Sequence, residues 1–383
     1  GIMALVFFLT FTVGDWIKGY FEHTIDALSL LAQQGMDAIG VAPIVQSLVI
    51  DGVIGGVGTI VTFLPNIFIL FLALAFLEDS GYMARVAYVM EGVMSRLGLS
   101  GKAFIPMLLG FGCTVPALMA SRALESRRDR YKVMLVTPFM SCNARLTIYI
   151  LFSEMFFGGY AMLAAYSMYL IGIVVAMLVS VALHLLDRKR EVNYLLIELP
   201  EYKMPDARTV AIYVWDKVKD YLGKAGSTIF LATLLIWFLL NFGPQGYDPG
   251  MSGGFGAVIG RWLVPFFAPI GLGFWQIAVA LIAGISAKEV VVSSCAVLFG
   301  VVNANSPAGM AQFAQVLSGI GFGPLNAFCL MVFCLLYVPC AATLATIHKE
   351  SGSWGWTAFV AVFQVAVAWI VTFLAYRVGL MIL

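Results

Sequence analysis

Charged side chains are scarce in this sequence. Lys and Arg together number 22 and Asp and Glu 21 in 383 residues, so 11% of the chain is charged and 61% is hydrophobic. A soluble domain is about a quarter charged and about half apolar. The composition excludes that class and predicts an all-α, polytopic membrane protein, because many apolar runs approach the ~20 residues that cross a bilayer. The net charge of +1 gives no indication of a nucleic-acid partner, and we expect none.

The polar loops contain no cysteine, and the sequence has only three histidines. A disulfide scaffold is therefore not expected. His23, His184 and His348 stand singly near predicted span ends and are interpreted as interfacial residues. A G-x-x-x-x-G-K-[ST] loop is also missing, because residues 100–103 lack the upstream glycine and the terminal hydroxyl. The six cysteines all lie inside apolar segments: Cys113, Cys142, Cys295, Cys329, Cys334 and Cys340.

About seven apolar segments are predicted to cross the membrane, with the loops rich in Lys and Arg on the cytoplasmic side. They cover residues 1–13, 53–77, 133–157, 160–186, 227–242, 325–347 and 356–380. An acidic, amphipathic connector, 14–51, is expected outside. The chain is interpreted as one transmembrane domain with six parts. These are leading spans with an interfacial helix (1–102), a first repeat (103–186), a cytoplasmic loop with an amphipathic helix (187–224), a connecting span with an outer loop (226–272), a second repeat (273–348) and a last span (354–383).

The segment Ala103–Ser121 is too short and too broken to be an ordinary span. Gly110, Gly112 and Pro116 interrupt it, and a strongly basic turn, Glu125–Lys132, follows. With both ends on the cytoplasmic side, this segment enters the membrane and returns. Irregular backbone is tolerated at membrane depth where it lines a protein cavity. We therefore predict a re-entrant, broken half-helix here and a second one in the segment 274–299.

The two broken segments belong to a predicted internal repeat. LGFGCTVPALMAS at 109–121 aligns with IAGISAKEVVVSS at 282–294, which places Cys113 over Ser286. The next elements align better, because Cys142 and Cys340 each begin a Cys-x-Ala-x-Leu pattern with a proline shortly before it.

The connector of the first repeat is basic, whereas the connector of the second, 300–323, is uncharged. The charge bias therefore predicts repeats of opposite orientation. Inverted repeats with broken helices are a recurring transporter plan, and the substrate site lies where those helices meet.

The long cytoplasmic loop is predicted to contain a surface helix. Asp206 follows a proline and is a candidate N-cap. Val210, Val214, Val218 and Leu222 then recur about once per helical turn. This spacing indicates an amphipathic helix that lies along the membrane surface.

Five motifs of the sequence resemble the membrane domain of the ferrous iron transport protein B family. They are LEDSGYMAR (77–85), GFGCTVPALMASR (110–122), RDRYKVMLVTPFMSCNARLTIY (128–149), SAKEVVVSS (286–294) and YVPCAATLATI (337–347). The resemblance implies two gate regions and uptake of Fe²⁺ across the bacterial cytoplasmic membrane.

That family also carries an N-terminal GTP-binding domain, which would precede residue 1 and would place the N-terminus inside. GTP would act only through this missing domain, so no enzyme activity is expected of the chain itself. The partners implied by the resemblance are membrane lipid, the cytosolic GTP-binding domain and small accessory proteins, with a homo-oligomer as a further possibility. The cluster 122–132 is interpreted as a topology signal and as a candidate dock for a regulatory domain.

Cys113, Cys142 and Cys340 are the main candidates for contact with a moving metal ion. Fe²⁺ accepts thiolate, imidazole and carboxylate ligands, and an ion that must leave again needs weak or partial ligation. The alternative for each cysteine is a small buried residue that lets helices pack closely. Cys329 and Cys334 are interpreted only as packing residues.

The polar candidates each have an alternative as well. Glu78 and Asp79 end the second span and would collect a cation at the inner mouth, or simply reach the interface. Glu289 lies inside an apolar segment beside Lys288, and we predict that it pairs with Arg145 across the repeat interface and locks one gate state. Four further side chains are predicted either as oxygen ligands or as hydrogen-bond partners of broken backbone: Ser141, Asn143, Ser286 and Ser293.

Two other functions remain open at this stage. The same fold would suit a gate-type secondary transporter of a nucleoside-like solute or of another divalent metal. A membrane scaffold without transport is the third hypothesis, and it predicts neither ion flux nor solute binding.

Overall fold

A computed structural model describes residues 2–186, 205–244, 246–247, 253–301 and 307–382. Nearly all of them are helical. Within the described ranges the one sheet is a short antiparallel hairpin of β1 (Phe242–Gly243) and β2 (Gly246–Tyr247). The predicted all-α class is thus confirmed.

Eighteen α-helices make up the described chain. The first nine are α1 (Ile2–Ile39), α2 (Pro43–Ser47), α3 (Gly55–Asp79), α4 (Tyr82–Arg96), α5 (Phe104–Leu109), α6 (Thr114–Ala120), α7 (Arg127–Val136), α8 (Asn143–Phe157) and α9 (Ala161–Leu186). The others are α10 (Ala207–Asp220), α11 (Ser227–Asn241), α12 (Phe255–Phe267), α13 (Trp275–Ala283), α14 (Val290–Leu298), α15 (Pro307–Gly319), α16 (Pro324–Leu336), α17 (Ala341–Ser351) and α18 (Trp354–Ile382). Short 3₁₀ or π-helical turns join several of them: Leu48–Ile54, Gly101–Ala103, Ser121–Ala123, Thr137–Phe139, Gly158–Tyr160, Tyr221–Gly226 and Ala268–Ile270.

The chain folds into two compact units, of which the first comprises residues 2–95, 100–105 and 205–238. Helix α3 is its centre and packs against α1 and α10. Helix α1 continues without a break past residue 13, where the sequence predicted the end of a span, into the predicted connector 14–51, and the end of the span itself stays a prediction. The physical reason for the unbroken helix is that no proline occurs before Pro43, so nothing stops the helix until Gly40, which has a φ of 71°.

The amphipathic helix predicted in the polar loop is α10, and it begins as expected. The Asp206 carboxylate accepts a hydrogen bond from the backbone N–H of Thr209 at 3.1 Å. Hydrogen bonds from the hydroxyl and the N–H of Thr209 hold the pKa of this exposed carboxyl below its usual range. Val210, Val214 and Val218 are buried within the first unit, while Leu222 is 43% exposed. Three of the four positions thus lie on a buried face, and the location of this helix along the membrane surface stays a prediction.

The second unit comprises residues 96–99, 106–186 and 239–382 and contains both repeats. Helix α16 is its core, packed against α8, α9 and α18. A helix that is apolar all round is suited to such a central position. Cys329 and Cys334 on this helix are fully buried, as expected for packing residues.

Four described helical runs are long and apolar enough to cross a membrane, and a fifth arises if a pair bent by 102°, Phe255–Ile270 with Trp275–Ala283, forms one span. The four are Pro43–Leu77, Arg127–Leu186, Pro324–Ser351 and Trp354–Met381. One of these runs contains a hairpin, since α8 and α9 pack side by side after a turn at Gly158. The membrane class is confirmed, and the number of seven crossings stays a prediction.

Both predicted repeats contain two broken helices. In the first repeat the breaks separate α5 from α6 and α7 from α8, and in the second they separate α13 from α14 and α16 from α17. The helix after the first break of each repeat packs against the helix after the second break of the other, α6 against α17 and α14 against α8. This crossed packing joins the two repeats at their breaks.

The loop after α4 supplies a first test of the packing in the second unit. Gly98 has a φ of 73°, and a Cβ at this position would overlap the His184 ring. We expect Gly98→Ala to lower the free energy of unfolding by about 1–2 kcal/mol from the left-handed backbone alone, with a further loss from the displaced ring. Thermal unfolding of the purified protein in detergent measures the change.

The matched control is Gly92→Ala on α4. No atom lies within 4 Å of a Cβ built at Gly92, so alanine should raise helix stability there by up to about 1 kcal/mol. Equal unfolding temperatures for the two variants would contradict this account of Gly98.

Candidate functional site

Each of the three candidate cysteines lies at the break of a helix. Cys113 is the residue before α6, Cys142 the residue before α8 and Cys340 the residue before α17. All three have extended backbone, with ψ values of 133°, 163° and 158°. A helix N-terminus favours negative charge, which suits a thiolate ligand.

Equivalent hydrogen bonds connect the two breaks within each repeat. In the first repeat the N–H of Asn143 donates to the carbonyl of Gly112 at 3.3 Å. In the second repeat the N–H of Ala341 donates to the carbonyl of Ile285 at 2.7 Å. Gly112 and Ile285 precede Cys113 and Ser286, and Asn143 and Ala341 follow Cys142 and Cys340. The hydrogen bonds thus match the register in which the sequence aligns the repeats.

The three thiols lie in one region. Cys113 is close enough to Cys142 and Cys340 to interact with both electrostatically. All three are partly exposed, whereas Cys295, like the two packing cysteines of α16, is buried. Within the described part of the chain, however, no three His, Cys, Asp or Glu side chains are placed to hold a metal ion together. The arrangement resembles neighbouring contact points along a path more than a closed chelate.

Two buried cations line the same region. Arg145 is 1% exposed, and its Nη1 donates to the carbonyls of Pro138 and Met140, each at 2.9 Å. The break before α8 leaves these two carbonyls beside Arg145, so the guanidinium bonds to its own repeat. The predicted pair of Arg145 with Glu289 stays a prediction. Glu289 is partly exposed at the start of α14.

Lys288 lies on the break before α14 and is 3% exposed. Its ammonium donates to the carbonyl of Val338 at 2.5 Å and lies 3.2 Å from the ring centroid of Tyr337. The Tyr337 hydroxyl in turn donates to the carbonyl of Leu281 at 3.2 Å. Lys288 also interacts electrostatically with Cys340, Cys142 and Arg145.

The serine candidates bond to nearby backbone and side chains. Ser286 donates to the carbonyl of Ala283 at 2.8 Å, and Ser293 donates to that of Val290 at 3.2 Å. These contacts favour the backbone role that the sequence left open. Ser141 instead donates to the Tyr149 hydroxyl at 3.2 Å. The side chain of Asn143 is partly exposed next to Cys142, so both of its predicted roles stay open.

Asp79 ends α3 in the first unit, where its carboxylate accepts a hydrogen bond from the N–H of Asp206 at 3.0 Å. It therefore supports the start of α10, a role that the sequence did not suggest. Glu78 lies outside the described side chains. Their predicted role at an inner mouth stays a prediction.

Sequence reasoning overlooked Glu350 and Tyr337. The Glu350 carboxylate at the end of α17 is 3% exposed and accepts from Nε of Arg122 at 2.8 Å, with Nη2 of Arg130 at 3.5 Å. Two arginines of the basic cluster thus bind an acid at the end of α17. A lone acid at the end of an apolar run, facing a surplus of arginine, was the available signal. Next to this contact is a cavity of about 450 Å³, lined by Arg128, Tyr131, Lys132, Leu135, Leu183, Leu186 and Trp356.

Comparison with known families agrees with this geometry. A gate family described as nucleoside recognition matches residues 60–156 and 222–354, which is more than half of the chain and includes all four breaks. A second family model, the ferrous iron transport protein B C terminus, matches residues 165–217. The chain belongs to the ferrous iron transport protein B family. The resemblance noted in the motifs is therefore confirmed, and the chain is a multi-pass protein of the cytoplasmic membrane.

Individual relatives extend the match over almost the whole chain. A Staphylococcus aureus (strain MSSA476) protein named Fe(2+) transporter FeoB is 40% identical over 99% of this chain and 56% of its own length. A Methanocaldococcus jannaschii protein of the same name is 38% identical over 98% and 55%. A Porphyromonas gingivalis protein named Fe(2+) transport protein A/Fe(2+) transporter FeoB fusion protein is 36% identical over 99% and 49%. The chain thus spans about half the length of these relatives. No solved structure matches it.

Proposed function

We propose that this chain is the membrane part of an Fe²⁺ uptake transporter, in which the ion passes between the two gate repeats. The observation that carries the proposal is the meeting of Cys113, Cys142 and Cys340 at broken helices that equivalent hydrogen bonds hold in register. Relatives named as Fe(2+) transporters support the choice of ion.

The chemistry of the site suits a moving borderline cation. Thiolates bind Fe²⁺ well, and unwound carbonyls beside them supply further, weaker ligands. Partly exposed thiols that do not form a closed cluster hold an ion less tightly than a structural site does, and conduction needs ions that can leave. In the full-length relatives we expect coupling to the GTP-binding domain, with the basic cluster and its Glu350 contact as the candidate dock. Accessory proteins and a homo-oligomer also remain proposals.

A nucleoside-like solute is the second candidate, because the matching gate family is described as nucleoside recognition. Partly exposed aromatic residues, such as Phe111 and Tyr169, would offer stacking surfaces to a base. The cysteines at three of the breaks have no role in this function. Another divalent metal, such as Mn²⁺, would use the same path with less benefit from thiolate ligands.

The direct test uses the 383-residue chain in sealed vesicles under anaerobic conditions. Fe²⁺ influx is followed with an internal metal-sensitive dye, and Fe²⁺ binding to the detergent-purified protein is measured by equilibrium dialysis. We expect saturable Fe²⁺ binding and influx above that of empty vesicles, with weaker signals for Mn²⁺. Binding of a nucleoside in the absence of any Fe²⁺ binding would favour the second candidate, and binding of neither would favour a scaffold.

A further inference from the structure

Two backbone carbonyls at equivalent positions of the repeats are each held by a buried cation. The carbonyl of Met140, two residues before Cys142, accepts from Arg145, and the carbonyl of Val338, two residues before Cys340, accepts from Lys288. Both cations are almost fully buried. The two repeats therefore share an arrangement of carbonyl, cation and cysteine that their sequence alignment alone does not predict.

Such carbonyls are natural cation ligands. The breaks interrupt the helical hydrogen-bond ladder, and a carbonyl that loses its helical donor must find another partner. In broken membrane helices, unwound carbonyls of this kind coordinate transported cations. In the second repeat the Lys288 ammonium contacts a carbonyl oxygen and the face of Tyr337, and it interacts electrostatically with Cys340. A cation-binding site is thus formed here, and a side chain of the protein occupies it.

Arg145 and Lys288 differ in the number of carbonyls that they bind and in the flexibility of their side chains. Arg145 donates to two carbonyls of its own repeat, Pro138 and Met140, and a planar guanidinium suits such fixed geometry. Lys288 donates to one carbonyl, and a flexible four-carbon stem carries its charge. Lys288 is therefore the cation that can be displaced.

We propose that the ammonium of Lys288 is a tethered cation that occupies the transported ion's site at Val338, Tyr337 and Cys340, and that an ion advances by displacing it. The inference rests on the proposed function, since it takes the cargo to be a cation. At rest, Lys288 keeps the site filled and opposes other cations by its charge. When an ion replaces it, the carbonyl of Val338 exchanges one positive partner for another, so this carbonyl is not left without a partner.

The test measures access of cations to Cys340 independently of transport. Lys288→Gln removes the charge but keeps a donor for the carbonyl of Val338. Cys340 is labelled with a small cationic methanethiosulfonate and with a neutral one, and the rate is read from the Cys340 peptide by mass spectrometry. We expect the cationic reagent to react at least about fivefold faster in Lys288→Gln than in the wild type, with a much smaller change for the neutral reagent. Lys288→Arg should restore slow cationic labelling.

The controls distinguish an effect of charge from an effect of packing. They also distinguish failure of the tethered-cation role from failure of the proposed function. Lys349→Gln, at an exposed lysine of α17, should leave both labelling rates unchanged. Equal acceleration of both reagents, or no acceleration, would overturn the tethered-cation role. If Lys288→Gln does not fold, two other variants are compared. Lys288→Met removes the charge, and Tyr337→Leu keeps the charge but removes the ring. The rate of cationic labelling at Cys340 must then rise less in Tyr337→Leu than in Lys288→Met. Wild-type vesicles without Fe²⁺ influx or binding would refute the proposed function, while the labelling result would still decide the role of Lys288.

Discussion

Replacing Cys142 and Cys340 together by serine is expected to reduce Fe²⁺ influx into vesicles by at least about tenfold. Loss of a group that only supports a metal ligand already weakens metal binding or activity by about 10–100-fold, and both residues are proposed as direct contacts. A serine hydroxyl is a poor substitute because it stays protonated and is a harder ligand than thiolate. Influx is measured anaerobically, at equal protein content in the membrane.

The position of these cysteines allows serine to replace them without loss of stability. Both precede a helix as its N-cap residue, and serine is among the preferred N-caps. The double variant should therefore unfold at the same temperature as the wild type or slightly higher. A loss of influx then reports on the thiols and not on the fold. Cys113 precedes α6 in the same way. Cys113→Ser should therefore reduce Fe²⁺ influx further, because it removes the third proposed thiol contact.

Cys329→Ser is the matched control, because this cysteine is fully buried in α16 and has no proposed contact with the ion. It should lower stability without a selective loss of Fe²⁺ influx. Fe²⁺ influx that survives the Cys142→Ser, Cys340→Ser double substitution would refute the thiolate path but would leave Fe²⁺ transport by the chain standing.

The sequence predicted the breaks well because the residues that make them act locally. Closely spaced glycines and prolines weaken a helix locally, and the helix boundaries near Gly110, Gly112 and Pro339 lie where the motifs indicated. The N-cap at Asp206 follows from chemistry within four residues. Such features depend on the chain near them and little on the tertiary fold.

The partners of charged residues could not be predicted in the same way. Arg145 was expected to seek an acid, but its nearest acceptors are carbonyls that become available only once the break has formed. Lys288 finds its acceptor 50 residues away in the chain, and Glu350 meets Arg122 across 228 residues. Residue type alone shows that a buried charge needs a partner. Which partner it finds depends on how two distant breaks meet.

The extent of α1 illustrates a different limit. Charge placement divided 1–51 into a span and a connector, yet charges do not end a helix unless a proline or a left-handed residue follows. The absence of proline before Pro43 was visible in the sequence and permits one helix, whereas the left-handed backbone of Gly40 is known only from the structure. Topology signals and helix boundaries are therefore separate properties and should be predicted separately.

Gly284→Ala is expected to lower the free energy of unfolding by about 2–4 kcal/mol and to reduce Fe²⁺ influx. A Cβ at Gly284 would overlap Cγ2 of Val291, press on the Tyr337 hydroxyl and lie 3.3 Å from the carbonyl of Ala280. Overpacking costs about 1–3 kcal/mol, and displacement of Tyr337 from its acceptor Leu281 adds about 1 kcal/mol. Both losses occur at the break that carries Lys288. Thermal unfolding in detergent and vesicle influx are measured side by side.

The backbone at Gly284 is ordinary, with a φ of −65° and a ψ of −6°, so close packing is the reason that a glycine is needed. Gly319→Ala tests this point, because no atom lies within 4 Å of a Cβ at Gly319, and the substitution should be neutral or slightly stabilising. Adding Val291→Ala to Gly284→Ala should recover only part of the stability, since the contact with Tyr337 remains. A Gly284→Ala protein as stable and as active as the wild type would show that the break between α13 and α14 adjusts freely. The tight packing of Tyr337 against this break would then have no part in the gate.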